Sequence, residues 1–235
     1  MSLDLQNENI PDLSVIMPCL NERNTVGICV RAARRFAEKY ALNAELIVVD
    51  NGSTDGSADI ARRNGASVIS ERRRGYGRAI RTGLEHSRGA VIIIGDCDTT
   101  YDLLHLERFY FPLKKGKYDV LIGNRFKVAM EKGAMPPLHR IGVPFLSWCG
   151  RIRFGTDVKD FHCGLRSLTR AAAERMELHA DGMEFSTELI AKAAANGMRI
   201  GQPCVKLYRC RYRRNSKLRT FSDGLRHLKY IIFKI

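Results

Sequence analysis

Short apolar runs alternate with helix-like stretches through the first half of this chain, and that alternation constrains the fold more than any other feature. Residues 13–17 are strand-like and end at Pro18, and residues 25–40 follow with helical periodicity. Residues 46–49 form a second apolar run, 57–64 a helix, and 66–70 a short third strand. Gly75-Tyr76-Gly77 opens a helix reaching about residue 87, and residues 91–94 make a fourth strand. A βαβα order implies an α/β fold, a mostly parallel twisted sheet with helices on both faces.

The second half is less regular. Residues 103–115 predict a helix and 120–123 a strand leading to Asn124-Arg125. Residues 138–154 are apolar, interrupted by Pro144 and rimmed by Arg140, Arg151 and Arg153. Core packing is one reading of that stretch and an interfacial helix at a membrane is the other. Residues 185–196 predict a helix stopped by Gly197, and 199–208 a late strand. Residues 222–235 predict an amphipathic helix, with Leu225, Leu228, Ile231, Ile232 and Ile235 opposite Arg226, Lys229 and Lys234.

Two of the strand-like runs end in acids. Residues 91–94 lead through Gly95 into Asp96-Cys97-Asp98, and residues 46–49 lead into Asp50-Asn51-Gly52-Ser53-Thr54-Asp55-Gly56. Ligands of open α/β sheets bind at the carboxyl ends of the strands. Asp96 and Asp98 there make a hard-oxygen site suited to Mg2+ or Mn2+, shared with a ligand's phosphates. A diphosphate compound handled with a divalent cation is the expectation.

Seven scattered cysteines without a C-x-x-C pair fit reduced thiols better than a disulfide framework or a zinc site. The first residues show no signal-peptide pattern, and no apolar stretch approaches the roughly 20 residues that span a bilayer. The net charge of +14 is unevenly placed, because residues 199–235 hold eleven Lys and Arg and one acid, 11 − 1 = +10. Such a block predicts contact with a polyanion: phosphate, nucleic acid or anionic lipid. The predicted organisation is a catalytic domain over residues 1–205, with a basic, membrane-facing tail over 206–235 packed on it. Asn51-Gly52-Ser53 matches a glycosylation sequon, discounted because the loop belongs to the site.

Several segments, in order, resemble glycosyltransferase family 2 with its GT-A fold. They are Pro18-Cys19-Leu20-Asn21-Glu22, Val48-Val49-Asp50-Asn51-Gly52-Ser53-Thr54-Asp55-Gly56, Gly75-Tyr76-Gly77-Arg78-Ala79, Asp96-Cys97-Asp98 and Ile122-Gly123-Asn124-Arg125. Asp160-Phe161-His162-Cys163-Gly164-Leu165-Arg166, Gly182-Met183-Glu184-Phe185 and Asn215-Ser216-Lys217-Leu218-Arg219 narrow the resemblance to dolichol-phosphate mannose and polyprenyl-phosphate glucose synthases. Three departures stand out. Asn51 replaces a second Asp, Cys97 occupies the middle of the metal motif, and Thr100 stands where some synthases carry a Gln that reaches the metal.

The resemblance implies inverting, metal-dependent sugar transfer from a nucleoside-diphosphate sugar, of the GDP-mannose or UDP-glucose type, to a polyprenyl or dolichyl phosphate. It implies nucleotide-sugar contacts from Pro18, Leu20, Asn21, Glu22, Val49, Asp50, Asn51, Arg78, Asp96 and Cys97, with Asp96, Asp98 and Thr100 toward the metal. Asp55 is expected to cap the following helix. A phosphate acceptor is already ionised near neutral pH and needs positive charge more than a base. Arg125, His139, Arg140, Arg213, Ser216 and Lys217 are the candidates, with Asp96, Asp98, Arg125 and Lys217 catalytic. A sugar-hydroxyl acceptor would instead need a base, Glu184 or Asp181. The family's usual transmembrane helices are missing, which predicts a peripheral enzyme on the cytoplasmic face of an anionic membrane, or one with a membrane-anchoring partner. A degenerate cationic module for lipid or nucleic acid is the reading from another class. No RNA- or DNA-binding signature supports it, and no nucleic-acid partner is expected.

Overall fold

The computed structural model describes residues 10–210, 212 and 220–233. Arg213, Ser216 and Lys217 lie outside the described residues. The elements run β1 Leu13–Cys19, α1 Val26–Lys39, β2 Ala44–Asp50, α2 Ser57–Arg63, β3 Ser67–Ser70, α3 Tyr76–His86, β4 Val91–Ile94, α4 Glu107–Lys114, β5 Val120–Ile122, α5 Pro137–Phe154, β6 Arg166–Thr169, α6 Arg170–Arg175, α7 Phe185–Ala195, β7 Ile200–Gly201 and α8 Thr220–Phe233.

One seven-stranded sheet runs in the order β3-β2-β1-β4-β6-β5-β7. β1 pairs in parallel with both β2 and β4, so β1 is central to the first half and its Cys19 stands beside Asp50. All four residues of β4 are buried, each worth roughly 1.5–3 kcal/mol relative to exposure. The alternation of strand and helix therefore gives the mostly parallel sheet expected of it. The exception is β6, antiparallel to both β4 and β5. Its residues, Arg166-Ser167-Leu168-Thr169, carry no apolar run that would mark them as a strand.

Helices cover both faces. Phe36 of α1 and Tyr40 just past its end meet Tyr110 and Phe111 of α4, which makes these helices one layer. α3 packs on β1 and β2 and touches α7 in the other layer.

Two expectations need correction. The late strand over residues 199–208 shrinks to Ile200–Gly201 and an isolated bridge from Cys204 to Asn124. The helix expected over residues 103–115 begins only at Glu107. The apolar stretch around Pro144 is one helix of 18 residues. It turns small residues inward. Ser147 accepts a hydrogen bond from the Phe161 N–H at 3.1 Å, and a Cβ on Gly150 would lie 2.6 Å from the Phe161 ring. No helix among the described residues is long and apolar enough to cross a membrane.

Candidate active site

The strand ends of β1 and β2 are stitched together. Asn21, at φ +53°, donates its N–H to Ser53 Oγ at 2.9 Å, and its Oδ1 accepts from the Thr54 N–H at 2.8 Å. Glu22 N–H donates to Ser57 Oγ at 2.7 Å, and Arg23 N–H to Asp55 Oδ2 at 3.0 Å. Asp55 also accepts from the Ser57 N–H at 3.0 Å, so it serves the start of α2 as expected. Glu22 is buried and its Oε2 accepts from Thr25 Oγ1 at 3.0 Å. Asp50 accepts from the Ser53 N–H at 3.2 Å, which holds it at the strand end. Pro18 and Leu20 are half-buried beside it, whereas the Val49 side chain is in the core beneath α3. The Val49 side chain therefore packs the floor.

Asn51 also departs from its expected role. Its amide donates to the carbonyls of Glu71 and Arg73 at 3.0 and 2.8 Å, and its Oδ1 accepts from the Gly75 N–H at 2.8 Å. The side chain that was expected on a base or ribose instead fixes the segment leading into α3. Glu71 completes this brace. Its Oε2 accepts from Thr82 Oγ1 at 2.7 Å and Arg78 Nε at 2.8 Å, and its Oε1 from the Arg73 N–H at 2.8 Å. Those bonds, Thr82 foremost, lower the Glu71 carboxyl to about 2.

The N-terminus of α3 does not face open space. Gly77 N–H donates to Gly182 O at 3.2 Å and Arg78 N–H to Asp181 O at 3.1 Å. A Cβ on Gly75 would strike Asp181 O, and one on Gly77 would lie 2.7 Å from Phe185 Cβ. The glycines permit this close approach of backbone to backbone. Arg78, predicted on the donor, is paired with Glu71 at this covered end.

Two carboxylates follow β4. Asp98 is buried, and its Oδ1 accepts from the Thr100 N–H at 2.9 Å and Thr100 Oγ1 at 2.5 Å. Asp96 Oδ1 accepts from the Tyr76 hydroxyl at 3.2 Å. A Cβ on Gly164 would strike Asp96 Oδ2, so the 160–166 segment crosses directly over this acid. Cys97 turns inward and donates to Pro18 O at 3.2 Å. With its thiol in the core, Cys97 has no side chain to offer a nucleotide. The Thr100 hydroxyl donates to Asp98 and orients it. Among the described residues no group of three or more His, Cys, Asp or Glu side chains could hold a metal by itself. Two hard-oxygen carboxylates that need a substrate's phosphates to complete the shell fit Mg2+ or Mn2+.

Arg125 lies in the turn after β5 and is buried against Asp160. Nε donates to Oδ2 at 2.7 Å and Nη2 to Oδ1 at 2.8 Å, leaving the Nη1 side outside this pair. His139, in the first turn of α5, has its pKa lowered by burial and then by the charge of Arg125; Asp223 opposes this. Arg140 beside it is exposed. Asp181, one candidate base, is paired with Arg81. Glu184, the other, accepts from the Gly182 N–H at 3.2 Å through Oε1, and its buried Oε2 has no hydrogen-bond partner among the described residues.

Behind Arg125 lies a buried basic cluster the sequence did not assign. Arg166, 1 % exposed, donates to Cys163 O and to Ser186 Oγ at 2.7 and 2.5 Å. The His162 and His227 rings meet edge to face at 4.3 Å, and His227 Nδ1 shares a hydrogen bond with Thr187 Oγ1 at 2.8 Å. Tyr101 closes the group by accepting from the Gly164 N–H at 2.9 Å. Asp160, Arg166 and His162 were visible only as parts of a motif, because their partners lie far away in the chain.

Comparison with known proteins gives this geometry a family. Residues 14–176 match the model of "Glycosyl transferase family 2". The chain is similar to the low-salt glycan biosynthesis hexosyltransferase Agl6 of Haloferax volcanii, 34% identical over 231 residues, 98% of this chain and 55% of that protein. It is also similar to a dolichyl-phosphate hexose transferase of the same organism, 31% identical over 191 residues, 81% of this chain and 80% of that protein. The chain thus spans about half the length of the first relative and most of the second. In fold it resembles glucosyl-3-phosphoglycerate synthase from Mycobacterium tuberculosis, solved with Mn2+, UDP and glucosyl-3-phosphoglycerate. The TM-score is 0.74 at 21% identity, covering 96% of this chain and 81% of that one. With its sheet, its acidic strand ends and a family match across most of its length, the chain belongs to glycosyl transferase family 2.

Proposed function

We propose that this protein transfers a hexose from a nucleoside-diphosphate sugar to a polyprenyl phosphate, with inversion, at the cytoplasmic face of a membrane. One observation carries the choice of acceptor. Of the two candidate bases Asp181 is committed to Arg81, while Arg125, held by Asp160, is close enough to His139 at the start of α5 to lower its pKa, and the exposed Arg140 follows in the chain. An ionised phosphate oxygen attacks without a strong base and needs such cations to offset its repulsion from the donor. The relative described as a dolichyl-phosphate hexose transferase supports the same choice.

The residues divide the work. Asp50 and Glu22 line the nucleoside end, on a floor braced by Asn51 and Glu71. Asp98, oriented by Thr100, and Asp96, held by Tyr76, would hold a divalent cation. Its chemistry is to offset the charge that grows on the leaving diphosphate. Arg125, kept in place by Asp160, presents the Nη1 side of its guanidinium to the acceptor phosphate. His139 and Arg140 extend that charge, and Arg213, Ser216 and Lys217 are assigned to the same phosphate from sequence. A membrane-anchoring partner remains part of this reading.

A second reading, a hydroxyl acceptor, is favoured by the unpartnered Oε2 of Glu184. Glu184→Gln separates the two. Under the phosphate reading, transfer to polyprenyl phosphate stays within a few-fold of the parent. A fall of the size typical for loss of a general base, about 10²–10⁴-fold, with donor binding intact would favour the hydroxyl acceptor.

A further inference from the structure

We infer that α5 and α8 together form a docking surface for an anionic bilayer, with their apolar stripes inserted and their cations on the headgroups. The inference deepens the polyprenyl-phosphate reading, on which its purpose rests, but it is drawn from the surface itself.

The helices are packed inside out for a globular protein. On α5 the exposed large residues are Leu138, Ile141, Phe145, Trp148 and Ile152, from 51% to 74% accessible. Their spacing of three, seven, ten and fourteen residues puts them on one face. The side turned to the body carries Ser147 and Gly150. On α8, Phe221, Leu225 and Ile232 are exposed at 83%, 67% and 52%, again on one face, and Phe233 at 74%. The buried side holds Asp223, His227, Tyr230 and Ile231. α8 packs against α5, so the two stripes belong to neighbouring helices.

Charge selects the occupant. Arg140, Arg151 and Arg153 on α5 and Arg226 and Lys229 on α8 border the stripes. α5 contains no acid, and the one acid within α8, Asp223, is buried. Of these cations only Arg226 has an acid beside it among the described residues, Asp223 at 3.9 Å, so a second copy seated on this face would bring two sets of like charge together, whereas an anionic lipid surface complements them. The stripe on α5 runs from Leu138 to Ile152, about 21 Å at 1.5 Å per residue. That shape suits a plane, and the helices are too polar to span it.

The protein holds a single tryptophan, and it is Trp148 of this stripe. Its fluorescence reports docking directly. The chain is titrated with vesicles of phosphatidylglycerol and phosphatidylcholine that carry no polyprenyl phosphate. Trp148 emission should shift to the blue and be quenched by acyl-chain-brominated lipid. Binding should fall by about fivefold for each cation removed and weaken with added salt. Ile152→Asp with Leu225→Asp should abolish quenching while leaving transfer to a short, water-soluble polyprenyl phosphate analogue unchanged. Unquenched Trp148 in the folded parent protein would overturn the inference. So would a dimer in light scattering that Ile152→Asp splits, because a second copy would then cover the face. Quenching without transfer to the soluble analogue would sustain the docking and overturn only the acceptor reading.

Discussion

Arg125 and Asp160, 35 residues apart, form a side-on pair in which two guanidinium nitrogens meet two carboxylate oxygens at 2.7 and 2.8 Å. The Arg125 N–H adds a third bond to Oδ2 at 3.1 Å, and Asp160 is fully buried. Breaking a buried pair by removing one partner leaves an uncompensated charge, at about 3–5 kcal/mol. Asp160→Asn should therefore lower unfolding stability by that order in urea denaturation. An unchanged midpoint would contradict the pairing.

Thr100 makes a different prediction, because it touches Asp98 through both its N–H and its hydroxyl. Residues that orient metal ligands typically cost 10–100-fold in metal affinity when lost. Thr100→Val should raise the Mn2+ concentration needed for nucleoside-diphosphate binding by about that factor, and Thr100→Ser should restore it. Titration calorimetry at fixed nucleotide reads this, and equal Mn2+ dependence in all three proteins would remove Thr100 from the site.

Asn51 donates two hydrogen bonds and accepts one. Asp at this position keeps the bond from Gly75 but sets a carboxylate against the carbonyls of Glu71 and Arg73. Asn51→Asp should lose about 1–3 kcal/mol for the unpaired groups. Donor affinity should fall with it, because the floor of the nucleoside end loosens. A variant as stable as the parent would mean that Asn51 reaches the nucleotide instead.

Burial, and then the charge of Arg166, push His227 down from 6.5 to about 4. Burial also drives His162 well below its ordinary value, reinforced by His227. Between pH 6.5 and 4 the unfolded chain binds a proton at His227 that the folded chain refuses. Stability is therefore lost as pH falls through that window, by about 3 kcal/mol from His227 alone. His227→Gln should flatten the thermal-stability profile over this range. A profile as steep as the parent's would assign the acid sensitivity to other groups.

The legible parts of this protein were those whose chemistry is local. An apolar run ending in Asp96-Cys97-Asp98 specifies a strand and its carboxylates without reference to anything else. Asn51 was misread because the carbonyls it serves lie 20 and 22 residues further on. β6 was missed because a buried arginine takes the place of an apolar strand residue. In α8 the sequence marked an amphipathic helix without saying which residues pack on the protein. An amphipathic pattern marks two faces, and only packing decides which one faces the protein. Here Asp223 and His227 go inward, His227 beside His162 and Thr187.

The most direct test of the account is a transfer reaction read by mass spectrometry. UDP- and GDP-hexoses are offered with Mn2+ and a short polyprenyl phosphate, and the lipid product is exposed to mild acid. The account predicts a hexosyl-phospholipid whose glycosyl phosphate bond is cleaved by the acid, and whose formation is lost with chelator or in Asp98→Ala. A product that appears only with a hydroxyl acceptor and survives mild acid would contradict it.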